Sequence, residues 1–119
     1  MQVIVLGDAF VDILAGPLAS LPRWGADVEC PSISQLPGGS ALNVAVHLGA
    51  LCDGNAATCT FHGLLGNDDF ANILRKRIAA AGVIDCMETI PNGVGTGVCL
   101  VLSGNGQRAF VTQVDLLPP

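Results

Sequence analysis

The chain is organised around the stretch Pro37-Gly38-Gly39-Ser40-Ala41-Leu42-Asn43, which opens an apolar run that ends near Leu51. Its two glycines permit backbone geometry and close approach that side chains would block, and Ser40 is a good helix N-cap. Because the following residues are apolar on nearly all sides, the pattern predicts a buried helix over residues 40–51. The N-terminus of this helix would offer free N–H groups and a positive dipole end to a ligand.

Asn43 is the polar exception at the start of this run. A side-chain amide in the first turn of a buried helix needs hydrogen-bond partners, and a polyhydroxylated ligand could supply them. From spacing alone, an ordinary turn and helix start fits the pattern equally well, because Gly-Gly often precedes a helix. The stretch has neither the Gly-Lys-Ser/Thr of a Walker P-loop nor a GxGxxG turn, so neither nucleotide motif applies.

Composition limits the classes of partner. The chain has 119 residues, half of them hydrophobic, and a net charge of -5. This is enough for one domain with a real core. With only five Lys and Arg, the chain has little to neutralise a phosphate backbone or an anionic membrane, which argues against nucleic acid and membrane partners. No signal peptide and no run of roughly 20 apolar residues is visible, so we expect a cytoplasmic protein.

The five cysteines are an odd number, widely spaced and without a CxxC pair. This usage fits buried thiols in a reducing compartment better than a disulfide framework. Cys59 and His62 have the spacing of metal ligands, but in a strand they would point to opposite faces. We therefore expect no metal site built from these residues.

Alternating strand and helix patterns predict an α/β fold, with helices covering a mainly parallel sheet. Residues 3–6 are a continuous apolar run, typical of a strand buried on both faces, and residues 58–64 indicate a second such strand. A 3.6-residue apolar stripe after Asn67 predicts a helix over residues 68–81 with acids at its positive end.

The remaining segments predict smaller β-structure. Residues 97–102 and 108–113, joined by the turn Ser103-Gly104-Asn105-Gly106, form a strong hairpin pattern. Residues 26–36 contain two short segments that could be edge strands. Trp24 could stack on a ligand or cover the core, and core coverage is the favoured interpretation.

Two acids follow the first predicted strand, at the sheet edge where ligands usually bind. Asp8 comes directly after Gly7, a position that suits a turn. Asp12 is equally consistent with capping a turn and with facing a ligand.

The order of six motifs resembles the ribokinase-like, or PfkB, family of carbohydrate kinases. The stretch GGSALNVAVHLGAL resembles the family's Gly-Gly, Asn and small-residue helix, and five more pieces fall in the family's order: VIVLGDAFVDIL, LPRWGADVEC, GLLGNDDFANIL, AAAGV and TGVCLVLSGNGQRAF. The resemblance covers almost the whole chain. It implies that residues 1–119 are the N-terminal part of a Rossmann-type three-layer α/β sandwich, with a small β-sheet lid near residues 15–37 and 95–113.

Members of that family transfer the γ-phosphoryl group of ATP to a hydroxyl of a sugar or nucleoside, using Mg²⁺ and an aspartate base. The resemblance implies five acceptor-binding residues: Asp12, Gly38, Gly39, Ser40 and Asn43. Phe10 stands where ribokinases carry a polar residue and Ser40 where they carry a lysine, which argues against ribose and favours a hexose-type sugar. The lid could also form a homodimer.

The family's catalytic aspartate lies in a GAGD-type motif near the C-terminal end, together with the ATP site. This chain contains no GAGD motif, and its last acid, Asp115, has no glycine-rich neighbourhood. We therefore assign no catalytic residue, expect no tight binding of ATP or Mg²⁺, and expect the chain alone to be inactive. Two interpretations stay open: the acceptor half of a carbohydrate kinase, and a non-catalytic sugar-binding or oligomerisation module derived from that fold.

Overall fold

The computed structural model of the chain describes residues 1–54, 56–91 and 95–114. Its elements, in chain order, are β1 Gln2–Leu6, β2 Phe10–Gly16, β3 Ser32–Gly38, α1 Ser40–Cys52, β4 Thr58–His62, β5 Leu64–Leu65, α2 Asp69–Ala80, β6 Ile84–Asp85, β7 Glu88–Thr89, β8 Val98–Gly104 and β9 Gln107–Gln113. Within the described residues the strands form sheets of order β1-β4-β6, β3-β2-β8-β9 and β5-β7. The predicted α/β class is confirmed.

The sheet β1-β4-β6 is parallel, as the patterns over residues 3–6 and 58–64 predicted, although β4 ends at His62 and Leu64 belongs to β5 of another sheet. Val3 pairs with Cys59 and Val5 with Phe61, and β4 pairs with β6 in the same direction. Because successive side chains of a strand point to opposite faces, Val3, Val5, Cys59 and Phe61 share one face. This face carries the core, since Phe61 is fully buried.

Both helices cover that face of the sheet. Leu42 and Ala45 of α1, and Leu74 and Ile78 of α2, are buried in one cluster with Phe61. Each helix begins and ends within one residue of its predicted bounds. The apolar run that follows Gly39 and the 3.6-residue stripe that follows Asn67 therefore located the two helices correctly.

The prediction that the strand at residues 3–6 is buried on both faces is wrong for the described chain, because the face of the sheet opposite the helices is open. Ile4, Leu6 and Ile84 are 58%, 72% and 50% exposed. The described residues thus provide one helical layer and the sheet of the predicted three-layer sandwich, which is a partial fold. Neither described helix is long and apolar enough to cross a membrane.

The prediction that α1 is buried on nearly all sides is wrong. Its buried residues are Leu42, Ala45 and Gly49, whereas Val44 and Leu51 are 51% and 71% exposed. The described chain packs against α1 along one side only, with contacts to α2 and the β1-β4 pair, so apolar residues on its other side meet solvent.

The second sheet is built on β2, which lies between β3 and β8. The predicted hairpin is confirmed as β8 and β9, which pair antiparallel up to Gly104 and Gln107. Asn105 and Gly106 join them with φ angles of 52° and 70°. Positive φ at both residues is the geometry of a type I′ turn, for which Asn-Gly is the preferred pair.

Three local predictions differ from this structure. Asp12 lies inside the strand β2 and does not cap a turn, because the chain after Gly7 and Asp8 pairs with β3 instead of forming a loop. Residues 26–36 give one strand that starts at Ser32, since the preceding proline has no N–H to donate to a ladder. Trp24 is fully exposed and does not cover the core.

Candidate functional site

The Asp12 carboxylate lies directly against the backbone of Gly38. A Cβ atom on Gly38 would overlap the Asp12 carboxylate, with Asp12 Cγ only 2.7 Å away. The two residues belong to neighbouring antiparallel strands, where Asp12 is the register partner of Leu36 and Phe10 the partner of Gly38. Glycine at this position therefore lets the carboxylate approach the chain just before α1 begins.

Gly39 fixes the start of α1 against the loop that follows β1. It has φ 99° and ψ 134°, a conformation that residues with a side chain rarely adopt. A Cβ atom here would lie 2.6 Å from the Asp8 carbonyl oxygen and 3.1 Å from Ala9 Cα. The same Asp8 oxygen accepts a 3.4 Å hydrogen bond from the Leu42 amide. The helix start and the strand loop are therefore held together through backbone atoms.

The prediction that Ser40 caps α1 is wrong. The N-cap residue is Gly39, Ser40 is already helical, and no side chain caps this helix. Because Gly39 with its positive φ makes the turn into the helix, Ser40 comes one residue too late for its hydroxyl to act as a cap. Ser40 is exposed at the first position of α1.

Asn43 occupies the first turn of α1, as predicted, but it is exposed rather than buried. Its backbone N–H donates a 3.0 Å hydrogen bond to the Gly39 carbonyl oxygen, the first bond of the helix. The side-chain amide is therefore accessible to a ligand. Because it is exposed to solvent, it does not require a hydrogen-bond partner within the chain.

These positions are linked by one side-chain contact and by chain order; together they are called the acceptor path. Asp12 contacts Gly38, and Gly39, Ser40 and Asn43 follow along the start of α1. The path combines a carboxylate acceptor, a helix N-terminus and a side-chain amide, which are groups suited to binding hydroxyls.

The electrostatic state of Asp12 sets it apart from the surface acids. Partial burial raises the pKa of its carboxyl, and no hydrogen bond from the described residues offsets this effect. A partly desolvated carboxylate without donors retains its full capacity to accept hydrogen bonds from a ligand.

One further cavity was not anticipated from the sequence. It has a volume of about 380 Å³ and lies beyond the ends of β1 and β4, where Asp8, Phe10, His62 and Glu88 are among its lining residues. His62 contacts the Thr60 hydroxyl at 3.2 Å. These residues come from separate elements without a shared motif, so no local signal in the sequence joins them.

The described residues do not provide a metal site. No group of three His, Cys, Asp or Glu side chains within residues 1–54, 56–91 and 95–114 could hold a metal ion. Asp115, noted above as lacking a glycine-rich neighbourhood, lies outside the described residues.

Comparisons with known proteins show which family the chain resembles in sequence. The profile of the pfkB family carbohydrate kinases matches residues 2–116. The chain is 35% identical over 113 residues to the uncharacterized sugar kinase YegV of Escherichia coli strain K12, covering 93% of this chain and 33% of that protein.

Solved structures show the same fold. Fructokinase with bound ATP from Xylella fastidiosa has a TM-score of 0.70 and 30% identity, over 93% of this chain and 32% of that one. Ribokinase from Giardia lamblia has a TM-score of 0.80 over 94% of this chain and 35% of that one, and at 19% identity it supports the fold alone.

The chain spans about a third of the length of these relatives. Within that third, the family profile runs through nearly every residue, and the strand and helix order matches a ribokinase-like kinase. The chain belongs to the pfkB family of carbohydrate kinases.

Proposed function

We propose that the protein transfers a phosphoryl group from ATP to a hydroxyl of a sugar, and that this chain supplies the acceptor-binding part of the site. The observation that carries the proposal is the Asp12 carboxylate, which is partly desolvated, receives no hydrogen bond from the described residues and lies against Gly38. Two hydroxyls of a sugar are suitable donors to such a carboxylate. Membership of a carbohydrate kinase family supports the same class of ligand.

In this proposal each residue binds or orients the acceptor. Asp12 accepts hydrogen bonds from sugar hydroxyls, and the Asn43 amide both donates and accepts. Gly38 lets the Asp12 carboxylate lie against the backbone, and Gly39 sets the start of α1 against Asp8, so both orient groups that bind the sugar. Ser40 presents its exposed hydroxyl at the same helix start. The chain fixes the sugar's orientation, which is a large part of the catalysis of phosphoryl transfer.

ATP, Mg²⁺ and the catalytic base belong, in this proposal, to the part of the kinase fold that these residues do not include. ATP supplies the transferred phosphoryl group, and a general base takes the proton from the acceptor hydroxyl. A hexose-type sugar is the proposed acceptor, because Phe10, the register partner of Gly38, is apolar and Ser40 brings no positive charge. A nucleoside is the alternative acceptor of the same class.

The four-stranded sheet is the proposed lid over the sugar. Its strands β3, β8 and β9 fall in the predicted lid segments near residues 15–37 and 95–113, and Asp12 is on its central pair of strands. Phe110 and Val111 on its edge strand are each 60% exposed, which supports a homodimer through this sheet. We propose a cytoplasmic location, consistent with the odd number of cysteines.

Replacing Asn43 by alanine in the full-length protein is expected to weaken transition-state binding of the sugar. Loss of the amide leaves sugar hydroxyls without partners at a cost of about 1–3 kcal/mol, or roughly 5- to 150-fold in kcat/KM. The measurement is ATP-dependent phosphorylation across a sugar series. Asn72→Ala, at an exposed position of α2, is the matched control. Unchanged catalytic efficiency in Asn43→Ala would remove Asn43 from the site.

The same assay separates the kinase from the non-catalytic alternative. A sugar-binding or oligomerisation module would bind its ligand or self-associate without consuming ATP. Sugar binding by the full-length protein that depends on Asn43, in the absence of any phosphorylated product, would favour that alternative.

A further inference from the structure

A side-chain cluster outside the acceptor path joins Asp68 and Thr96. Asp68 is the N-cap of α2, where its Oδ1 accepts a 3.0 Å hydrogen bond from the Ala71 amide. Thr96 donates to the same carboxylate twice, from its amide to Oδ2 at 2.9 Å and from its hydroxyl to Oδ1 at 2.6 Å. The Thr96 hydroxyl oxygen in turn accepts a 3.0 Å bond from the Gly66 amide.

This cluster exceeds what helix capping requires. One bond from a carboxylate to an amide of the first turn is enough for an N-cap. The two bonds from Thr96 cross 28 residues of sequence, and Thr96 is only 3% exposed. Hydrogen bonds to a charged group are about twice as strong as neutral ones, and burial strengthens them further. Asp68 therefore holds the chain that leads into β8.

The ionisation of Asp68 agrees with this tight contact. Partial burial raises the pKa of its carboxyl, but the hydrogen bonds from Thr96 and Ala71 outweigh burial and lower it below its ordinary value. The carboxylate is therefore fully ionised near neutral pH, the state in which it accepts all three hydrogen bonds.

Gly97, the residue after Thr96, contacts β2, the strand that contains Asp12. The Gly97 carbonyl oxygen accepts a 3.0 Å hydrogen bond from the Val11 amide. A Cβ atom on Gly97 would overlap the Phe10 ring, with Phe10 Cε1 2.6 Å away, so the ring packs on the glycine backbone. From there β8 runs parallel to β2, with Cys99 as the register partner of Asp12. The position of Thr96 thus sets the position of β8 against Asp12.

We propose that Asp68 and Thr96 are positioning residues that orient Asp12 toward the acceptor sugar by fixing the four-stranded sheet to the N-terminus of α2. The inference rests on the proposed function, because it concerns the same acceptor site. Neither residue needs to contact the sugar. Their effect passes through Gly97 to the Val11 amide and from there to the adjoining Asp12.

The test is Thr96→Val in the full-length protein, which removes the hydroxyl and keeps the side-chain shape. The KM for the sugar is expected to rise about tenfold while the KM for ATP stays within about twofold, because only the acceptor side is displaced. Thr96→Ser restores the hydroxyl and is expected to return the sugar KM to near the wild-type value. Thr58→Val, an exposed position of β4, is the matched control.

Amide hydrogen exchange provides a readout that does not need activity. Exchange of the Val11 amide should accelerate in Thr96→Val, while exchange of the Cys86 amide, bonded to the Phe61 carbonyl in the parallel sheet, should not change. In an active enzyme, an unchanged sugar KM would overturn the inference, whatever the exchange of the Val11 amide. So would a loss of kcat at constant sugar KM with uniformly faster exchange, which indicates general destabilisation.

The two proposals fail in different ways. A wild-type protein that phosphorylates no sugar or nucleoside contradicts the proposed function, and the exchange of Val11 then decides alone whether Thr96 fixes β2. An active wild type whose sugar KM does not respond to Thr96→Val contradicts only the positioning role.

Discussion

Asp12→Ala in the full-length protein is expected to lower kcat/KM for the acceptor sugar by about 10²- to 10⁴-fold. The Asp12 carboxylate is proposed to accept two hydrogen bonds from the sugar, each worth about 1.5–3 kcal/mol because the acceptor is charged. Their sum of about 3–6 kcal/mol corresponds to this range at about 1.4 kcal/mol for each factor of ten. The loss should appear for sugar and not as a higher KM for ATP.

The Asp12 variant needs controls for folding and for charge. Asp27→Ala removes an equivalent charge from an exposed residue outside the strands and should leave kcat/KM within about twofold. Partial burial of Asp12 disfavours its charged form, so Asp12→Ala should not lower the free energy of unfolding strongly. An Asp12→Ala protein that is folded and retains wild-type kcat/KM would exclude Asp12 from sugar binding.

Gly39→Ala is expected to lower the free energy of unfolding by about 2–6 kcal/mol. A residue with a side chain at φ 99° stores about 1–3 kcal/mol of backbone strain. The added Cβ would lie 2.6 Å from the Asp8 carbonyl oxygen, and forcing such an overlap costs about a further 1–3 kcal/mol. Because Asp8 and Ala9 lead into β2, the displacement also moves Asp12 and should weaken sugar binding.

Gly82→Ala separates the two contributions to this effect. Gly82 also has a positive φ, 72°, but a Cβ there would meet no atom within 4 Å. Its expected cost is therefore only the strain of the left-handed conformation, about 1–2 kcal/mol. Chemical denaturation of the full-length variants measures both values. Equal losses for Gly39→Ala and Gly82→Ala would show that Gly39 is not held against Asp8.

Hydrophobic patterns in the sequence predicted the positions of the helices and of the main parallel strands. Leu74 and Ile78 repeat at the helical period and are buried, so local pattern and tertiary contact agree for α2. The apolar run Val3–Leu6 predicted the position of β1 but not its burial, because Ile4 and Leu6 lie on the open face of the sheet. The Asn105-Gly106 turn was also predicted from the sequence, because a turn with positive φ at both residues favours Asn followed by Gly.

The remaining features depend on contacts that no local pattern encodes. Ser40 fails as a cap because Asp8 and Ala9 fix the conformation of Gly39, and these residues lie about 30 positions earlier. The bonds from Thr96 to Asp68 cross 28 residues, and the role of Asp68 beyond its cap could not be derived from the helix start alone. The resemblance to carbohydrate kinases predicted the acceptor residues, whose part in sugar binding stays a prediction.

The central claim is that these residues form the acceptor side of a sugar kinase, and its most direct test is a phosphorylation assay. The full-length protein and the 119-residue chain are each incubated with ATP, Mg²⁺ and a panel of sugars and nucleosides, after removal of host kinases. The prediction is a phosphorylated sugar from the full-length protein, loss of that product with Asp12→Ala, and no turnover by the 119-residue chain. The contradicting result is a folded full-length protein that phosphorylates none of them, or turnover by the short chain that disappears with Asp12→Ala.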